Sequence, residues 1–306
     1  MPFERDVTLK QLRGFAEVLR RGSIAAAAAR LHVTPPAIST QLKALEGMTG
    51  GPVLERVGDT IRPTETGEEI LRAAKVIEAT LARAGARMEA LRSGAAGLVR
   101  LGVVSTGKYF APGLVVRFKM ARPEIALTLT IGNRGDIIEA LANRGIDMAV
   151  MGRAPEGLEV TAHHLGPHPH VVIAPPDHRL AGQAAVDARD LLSETFLARE
   201  EGSGTRTLMT RVLDRLGGGR PYKVVEMASN ETIKQAVMAG LGIAFLSAHT
   251  THVELAEGKL IALAVPGLPV MRDWYLIHLA DDQPTAAATV FRDFVVGLKG
   301  AFLPAI

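Results

Sequence analysis

Three stretches of this chain put hydroxyls, glycines and cations where a strand is expected to run into a helix. Ser105-Thr106 lies between the apolar run Leu98–Val104 and a helical pattern over Ala111–Ala121. Gly202-Ser203-Gly204-Thr205 follows Thr195–Ala198 and precedes Thr207–Leu216, and Asn230 and Thr232 stand at a third such junction. A turn of this kind offers hydroxyls and backbone N–H groups to a ligand at a helix N-terminus, which is anion chemistry. Arg206 adds a guanidinium suited to phosphate or carboxylate. Spread over two halves of one region, the turns would converge across a cleft. The plainer reading is that each Ser or Thr is only a helix cap. Arg134 and Lys108 are either further contributors or solvated side chains.

Three other patterns bear on catalysis. Gly102-(x)4-Gly107-Lys108 approaches the phosphate loop of nucleotide hydrolases, but Tyr109 stands where Mg²⁺ needs a hydroxyl and Gly102 reads as strand. Ser203 lacks the Gly-x-Ser-x-Gly elbow of a hydrolase. His163, His164, His168 and His170, with His178 beyond, are imidazoles of the type that hold Zn²⁺ or Ni²⁺. They fall among Gly166, Pro167 and Pro169, which predicts a loop between subdomains, and no carboxylate or cysteine completes a ligand set. The expectation is no catalytic residue, no metal and no resident cofactor.

The elements ahead of this region are helical. Leu9, Leu12, Phe15, Ala16 and Leu19 recur at helical spacing up to Gly22; Ser23 caps a second helix, Ile24–Leu31. Thr34 is placed to cap a third, with Pro35 and Pro36 in its first turn. Ile38, Leu42 and Leu45 form its buried stripe, leaving Ser39, Thr40 and Lys43 opposite. Two short extended stretches around Gly58-Asp59 predict a hairpin carrying Arg56 and Arg62. Three helices and a basic hairpin make a winged helix-turn-helix, in which Ser39, Thr40, Gln41 and Lys43 reach base edges or phosphates and the wing lies over the backbone. Plain structural packing is the alternative for any three-helix unit.

A long helix follows, from near Thr64 to Ser93-Gly94, roughly 40 Å at 1.5 Å per residue. Ile70, Ala74, Ile77, Leu81, Ala84, Met88 and Leu91 step by alternating fours and threes, the rhythm of a coiled-coil dimer seam. Gly94–Gly97 reads as a hinge. Strand and helix then alternate, which predicts two α/β subdomains with parallel-rich sheets. The 306 residues suit two domains or three. Hydrophobic content of 47 % is globular, and no apolar run approaches the ~18 residues of a membrane span. Charge at the N-terminus and the absence of cysteine argue against a secretory signal and a disulfide framework, so a cytoplasmic location is expected. The whole net charge of +3 lies within residues 1–97, a basic head on a neutral body.

Linked motifs make the head recognisable. Phe15-(x)7-Ser23-Ile24-(x)2-Ala27-Ala28-(x)2-Leu31, Pro36-Ala37-Ile38-Ser39-(x)2-Leu42-(x)2-Leu45-Glu46, Leu54-Glu55-Arg56 and Thr64-Glu65-Thr66-Gly67 resemble the LysR-type transcriptional regulators. The resemblance runs without gaps over about 70 residues. Pro35 replaces a frequent Gln, which bears on operator sequence, and Glu55 replaces a frequent Phe of the wing. Gly102–Pro112, Arg199-Glu200-Glu201-Gly202-Ser203-Gly204-Thr205-Arg206 and Ala228–Lys234 are similar to the CbbR branch, regulators of RuBisCO and Calvin-cycle operons or of related one-carbon genes. Arg199 joins the effector set on that basis.

The resemblance implies α/β architecture with an all-α head: winged helix-turn-helix, 1–63; linker dimerisation helix, 64–93; hinge, 94–97; and a periplasmic-binding-protein-like effector domain, 98–306. Subdomain I would comprise 98–169 and 273–306, the chain's end rejoining it, and subdomain II 170–272. It further implies double-stranded DNA as partner, a homodimer assembling into a tetramer, and an effector such as ribulose 1,5-bisphosphate, 2-phosphoglycolate or NADPH. RNA polymerase is a further partner, and no membrane is involved. Two alternatives stand beside this: a related regulator with a carboxylate effector, and a metabolite-binding protein whose helical head engages a protein.

Overall fold

The computed structural model describes residues 3–92, 96–281 and 284–305. Gly94 and Ala95 of the expected hinge and the side chain of Leu91 lie outside the described residues. The chain divides into two compact units, one ending at Gly85 and the other beginning at Ala86.

In the first unit, α1 (Phe3–Asp6) leads into α2 (Leu9–Arg21). A reciprocal cap fixes the start of α2: the Thr8 hydroxyl accepts from the Gln11 N–H at 3.4 Å, and Gln11 Oε1 accepts from the Thr8 N–H at 2.8 Å. Gly22, at φ +66°, closes it in the left-handed conformation. Then come α3 (Ile24–Leu31) and α4 (Pro35–Thr49). Phe15, Val18, Ala27, Ile38 and Leu45 meet without solvent exposure where the three helices cross. The wing is an antiparallel pair, β1 (Leu54–Val57) and β2 (Thr60–Pro63), closed by Gly58-Asp59 with Gly58 at φ +62°.

The helix α5 (Glu65–Arg92) begins against this core. The Thr64 hydroxyl accepts from the Gly67 N–H at 3.1 Å and donates to the Pro52 carbonyl at 2.8 Å. The helix and the residue before β1 approach so closely that a Cβ on Gly67 would stand 2.1 Å from the Val53 carbonyl oxygen. The expected dimer seam is divided by this packing. Ile70 and Ala74 are 4 % and 1 % exposed within the head's own core, and Ile77 packs against it. These three positions serve the monomer; Leu81, Ala84 and Met88 are exposed.

The second unit opens with β3 (Gly97–Val104), a 3₁₀ turn at Ser105–Tyr109, α6 (Ala111–Ala121), β4 (Ile125–Gly132), α7 (Arg134–Ala142) and β5 (Met148–Met151). It continues through β6 (Val160–Ala174), α8 (Ala188–Leu192), β7 (Thr195–Arg199), α9 (Gly204–Gly217), β8 (Lys223–Met227) and α10 (Asn230–Met238). The last elements are β9 (Ala244–Ser247), α11 (Ala248–Ala256), β10 (Ile261–Ala262), β11 (Val270–Leu279) and α12 (Ala286–Gly297). β3 pairs in parallel with β4 and β5, and β7 with β8. Antiparallel strands join the two sets: β11 lies between β5 and β6, and β6 also pairs with β9 and β10. One apolar cluster gathers Phe118 and Trp274 with Phe291 of α12; another gathers Phe196, Met209 and Phe245.

The histidine segment is not a loop. Residues 160–174 form the 15-residue strand β6, which runs continuously through position 169, as β11 does through 272. Over 160–169 its described ladder is to β11 alone, so half of its N–H groups serve no ladder, the situation in which prolines are tolerated. The helices α9 and α10 also begin earlier than their apolar periodicity suggests, because Ser203 and Ser229 occupy the N-cap positions.

Gly67→Ala is expected to destabilise the protein by about 1–3 kcal/mol, since backbone must move to admit the methyl group. Gly47→Ala, where a Cβ meets nothing within 4 Å in α4, should stabilise it by about 0.5–1 kcal/mol. Urea unfolding of both variants checks the pair of signs.

Candidate functional site

The first unit presents one polar face. Thr34 precedes α4 in extended conformation, but its hydroxyl makes no cap bond. The Thr34 carbonyl takes the Ala37 N–H at 3.0 Å instead, and the side chain stays exposed. Ser39 and Thr40 donate their hydroxyl protons back to the carbonyls of Pro35 and Pro36, at 3.2 and 2.9 Å, leaving their lone pairs outward. Lys43, Arg56 and Arg62 are exposed, the arginines one on each strand of the wing.

Two of the expected DNA contacts also hold structural positions within the head. Gln41 turns toward α2: its Oε1 is buried without a protein partner, and a Cβ on Gly14 would stand 2.3 Å from it. That oxygen lies between α4 and α2. Ser23 is the cap of α3, accepting from the Ala26 N–H at 3.4 Å.

The second unit holds a cavity of about 140 Å³ between the ends of β3 and β7, the start of α9, and the β6–β11 ladder. Ser105, Thr106, Arg134, Arg199, Ser203 and Thr205 line it, as expected from their positions in the chain. Ser203 is the N-cap of α9, yet its hydroxyl makes no cap bond and is available to a ligand. The first N–H groups of a helix have no partner within it, so the start of α9 is a natural seat for an anion.

Arg199 is the most enclosed of these cations, 4 % exposed. Its Nη1 donates to Ser105 Oγ at 3.1 Å and Asn230 Oδ1 at 2.8 Å; Nε and Nη2 grip both oxygens of Glu200 at 2.6 Å. Burial pushes the Glu200 carboxyl up, but the Arg199 hydrogen bonds and charge outweigh that and hold it below its ordinary value. Arg134 donates to the Arg153 and Ala154 carbonyls at 2.9 and 3.1 Å. Burial, and then the neighbouring Arg153 charge, lower its pKa.

Four expected effector residues stand outside the cavity lining. Arg206 points one helical step away from Thr205 and donates to the Arg199 carbonyl at 3.2 Å. Asn230 is the buried partner of Arg199, and the Thr232 N–H is capped by Ser229 Oγ at 3.1 Å. Lys108 lies 5.1 Å from the Tyr109 ring centroid. Tyr109 belongs to a neighbouring cluster: its hydroxyl donates to Glu231 at 3.2 Å, while buried Lys234 pairs with Glu254 at 2.6 Å and Glu231 at 3.1 Å. Burial, followed by the Glu231 charge, raises the Tyr109 pKa.

Several lining residues were not among the expected effector residues: Asn133, Arg153, His168, His170, Thr207, Leu208, Arg211 and Arg272. Gly204, Thr207, Leu208 and Arg211 share one face of α9, a spacing the sequence could have shown. Arg272 is the cross-strand partner of His168, a juxtaposition created only by the β6–β11 register. Five guanidiniums line the cavity and no lining residue is a carboxylic acid. Arg153 pairs with Glu156, while Arg211 and Arg272 have no ion-pair partner among the described residues. Such a lining is electrostatically suited to an anion. Among the described residues no group of three or more histidines and acids could hold a metal. No helix among them is long and apolar enough to cross a membrane.

Comparison with known proteins agrees with this geometry. Residues 9–68 match the bacterial regulatory helix-turn-helix protein, lysR family, and residues 92–298 match the LysR substrate binding domain. The chain is 51 % identical to the HTH-type transcriptional regulator CbbR of Cereibacter sphaeroides, over 97 % of each chain. It is 39 % identical to the RuBisCO operon transcriptional regulator of Allochromatium vinosum, over 95 % of this chain and 96 % of that one. The regulatory domain of CcmR from Synechocystis PCC6803, solved in complex with 2-PG, is 34 % identical and superimposes with a TM-score of 0.62. That alignment covers 66 % of this chain and 97 % of the CcmR domain.

The buried histidines of β6 and α11 make a pH prediction. Burial lowers the pKa of both His170 and His249 to about 4. Unfolded, each titrates near 6.5, so below that pH the unfolded chain binds more protons. Their contribution is intact above pH 6.5 and is lost as pH falls toward 4, by up to about 1.4 kcal/mol per pH unit for each ring. Chemical denaturation between pH 7 and 4 should show this slope, and His170→Phe should flatten it.

Proposed function

This chain belongs to the LysR family of bacterial transcriptional regulators, and on that premise we propose that it switches carbon-fixation genes, the RuBisCO operon among them, in response to a small phosphorylated metabolite. The head engages double-stranded DNA through the exposed face of α4 and the wing. The family and the relatives above regulate transcription and are not enzymes. The observation that carries the metabolite reading is the cavity at the start of α9, with five guanidiniums, unused hydroxyls and no acid in its lining. Its likeness to the CcmR domain, solved with 2-PG, favours 2-phosphoglycolate; ribulose 1,5-bisphosphate and NADPH are the other candidates.

On this reading residues 1–63 bind DNA and residues 98–306 sense the effector, with positions 169–170 and 272–273 as the crossings between subdomains. Leu81, Ala84 and Met88 supply the exposed part of a seam by which helices 64–93 pair, and dimers associate into a tetramer that presents two pairs of heads to a promoter and to RNA polymerase. The effector acts by binding one arrangement of the effector region better than another, because equal affinity shifts nothing. The Arg199–Ser105 contact, which ties the end of β7 to the turn after β3, is where a bound anion competes most directly.

Lys43→Ala and Arg62→Ala are each expected to weaken operator binding and to lower the slope of log affinity against log salt by about 0.9, the loss of one phosphate contact. Gel-shift titrations at several salt concentrations check this. A head that bound a protein through an apolar face would show no such salt response. Arg272→Ala should leave DNA affinity unchanged and reduce the thermal stabilisation conferred by 2-phosphoglycolate, which for a native-state ligand reaches about 2.7 kcal/mol at roughly a hundred times Kd.

A further inference from the structure

His168 occupies the middle of β6, directly across the ladder from Arg272, and is 5 % exposed on the cavity wall. Its ring is fixed from several sides. The Trp274 indole stacks on it at 3.9 Å between centroids and 18° between planes, and the His170 ring lies 4.3 Å away. Nε2 is 3.0 Å from the hydroxyl of Ser247, a residue with no solvent exposure at the end of β9. Nδ1 is also buried, but no protein group bonds to it. Gly152 lies close beside it, and a Cβ there would stand 3.0 Å from Nδ1.

A buried polar atom without a partner is uncommon, and one on the wall of an anion cavity has an evident use. We infer that His168 Nδ1 is a ligand-contacting atom that reads the end of the effector opposite its phosphate, and that the effector is therefore a small phosphorylated acid with a carboxylate or hydroxyl at that end. This rests on the cavity being the effector site, as proposed above. The two walls are chemically distinct. The start of α9 offers helix N–H groups and the Ser203 and Thr205 hydroxyls, which suit a phosphate; the β6–β11 wall offers one imidazole and the Arg272 guanidinium, which suit a planar carboxylate.

Charge and tautomer agree with this role. Burial first, then the nearby His170, His249 and Arg272, keep the His168 ring neutral by holding its pKa well below the ordinary value. A neutral imidazole carries one proton. With the Ser247 hydroxyl donating to Nε2 the proton lies on Nδ1, and a carboxylate or hydroxyl oxygen of the ligand accepts it; with Nε2 donating to Ser247, a bare Nδ1 accepts from a ligand hydroxyl.

The test is calorimetric titration of the full-length protein with 2-phosphoglycolate and, separately, inorganic phosphate. His168→Asn keeps an amide near the place of Nδ1, His168→Gln keeps one near Nε2, and His168→Phe keeps only the stack on Trp274. The inference expects 2-phosphoglycolate affinity to fall about tenfold or more in the Gln and Phe variants, with Asn near the wild type and phosphate affinity unchanged throughout. A merely structural role through Ser247 reverses the order, with Gln near the wild type and Asn impaired, and overturns the inference. Equal affinities in all four proteins overturn it as well. No binding of 2-phosphoglycolate to the wild type overturns the reading of the cavity, and this inference with it. If the Phe variant does not fold, the Asn and Gln pair still decides.

Discussion

The effector unit depends on a buried guanidinium. Arg199 is almost wholly enclosed, and its three donor nitrogens are taken by Glu200, Ser105 and Asn230. A charge removed from water to this degree is tolerated only when paired and hydrogen-bonded on all sides. Three separate segments are thereby held in register: the end of β7, the turn after β3 and the start of α10. The same bonds explain why Glu200 stays ionised despite its burial, and why Asn230 is committed to structure. The cavity walls can then be lined with further cations without collapsing onto one another.

The long antiparallel ladder of β6 and β11 is the second constraint. It carries the chain twice along the whole effector unit and brings His168 opposite Arg272. Alternation along the strand turns His168 and His170 inward on one face, where Trp274 and Phe245 stack against them. The cost is a set of imidazoles deprived of water and therefore neutral. Rings in that state still donate or accept hydrogen bonds without adding charge to a cavity already rich in arginine.

In the head, close backbone approach does the equivalent work. Gly14 admits Gln41 between α2 and α4, and Gly67 lets α5 rest against the Val53 carbonyl. Fixed in this way, α4 presents Thr34, Ser39, Thr40 and Lys43 as a rigid polar surface. The paired prolines stiffen the first turn of that surface.

Much of this was legible from residue order because it depends on local physics. Helical spacing located the three helices of the head, Gly58-Asp59 located the wing, and Ser-Thr-Gly junctions located the turns that line the cavity. Caps, turns and periodicity act over a few residues, so the chain states them in order. What sequence could not state was which long-range partner each residue would meet. Ile70 and Ala74 share a rhythm with Leu81 and Met88, yet only the fold of the head decided that the first pair is already buried. Arg206 and Thr205 are neighbours, and α9's rotation sends one to the cavity and the other to a carbonyl. His168 and Arg272 are far apart in the chain and resemble a loop histidine and a solvated arginine until the β6–β11 register joins them. Pairing across a sheet is decided by the burial of both faces at once, and no single stretch of sequence contains that information.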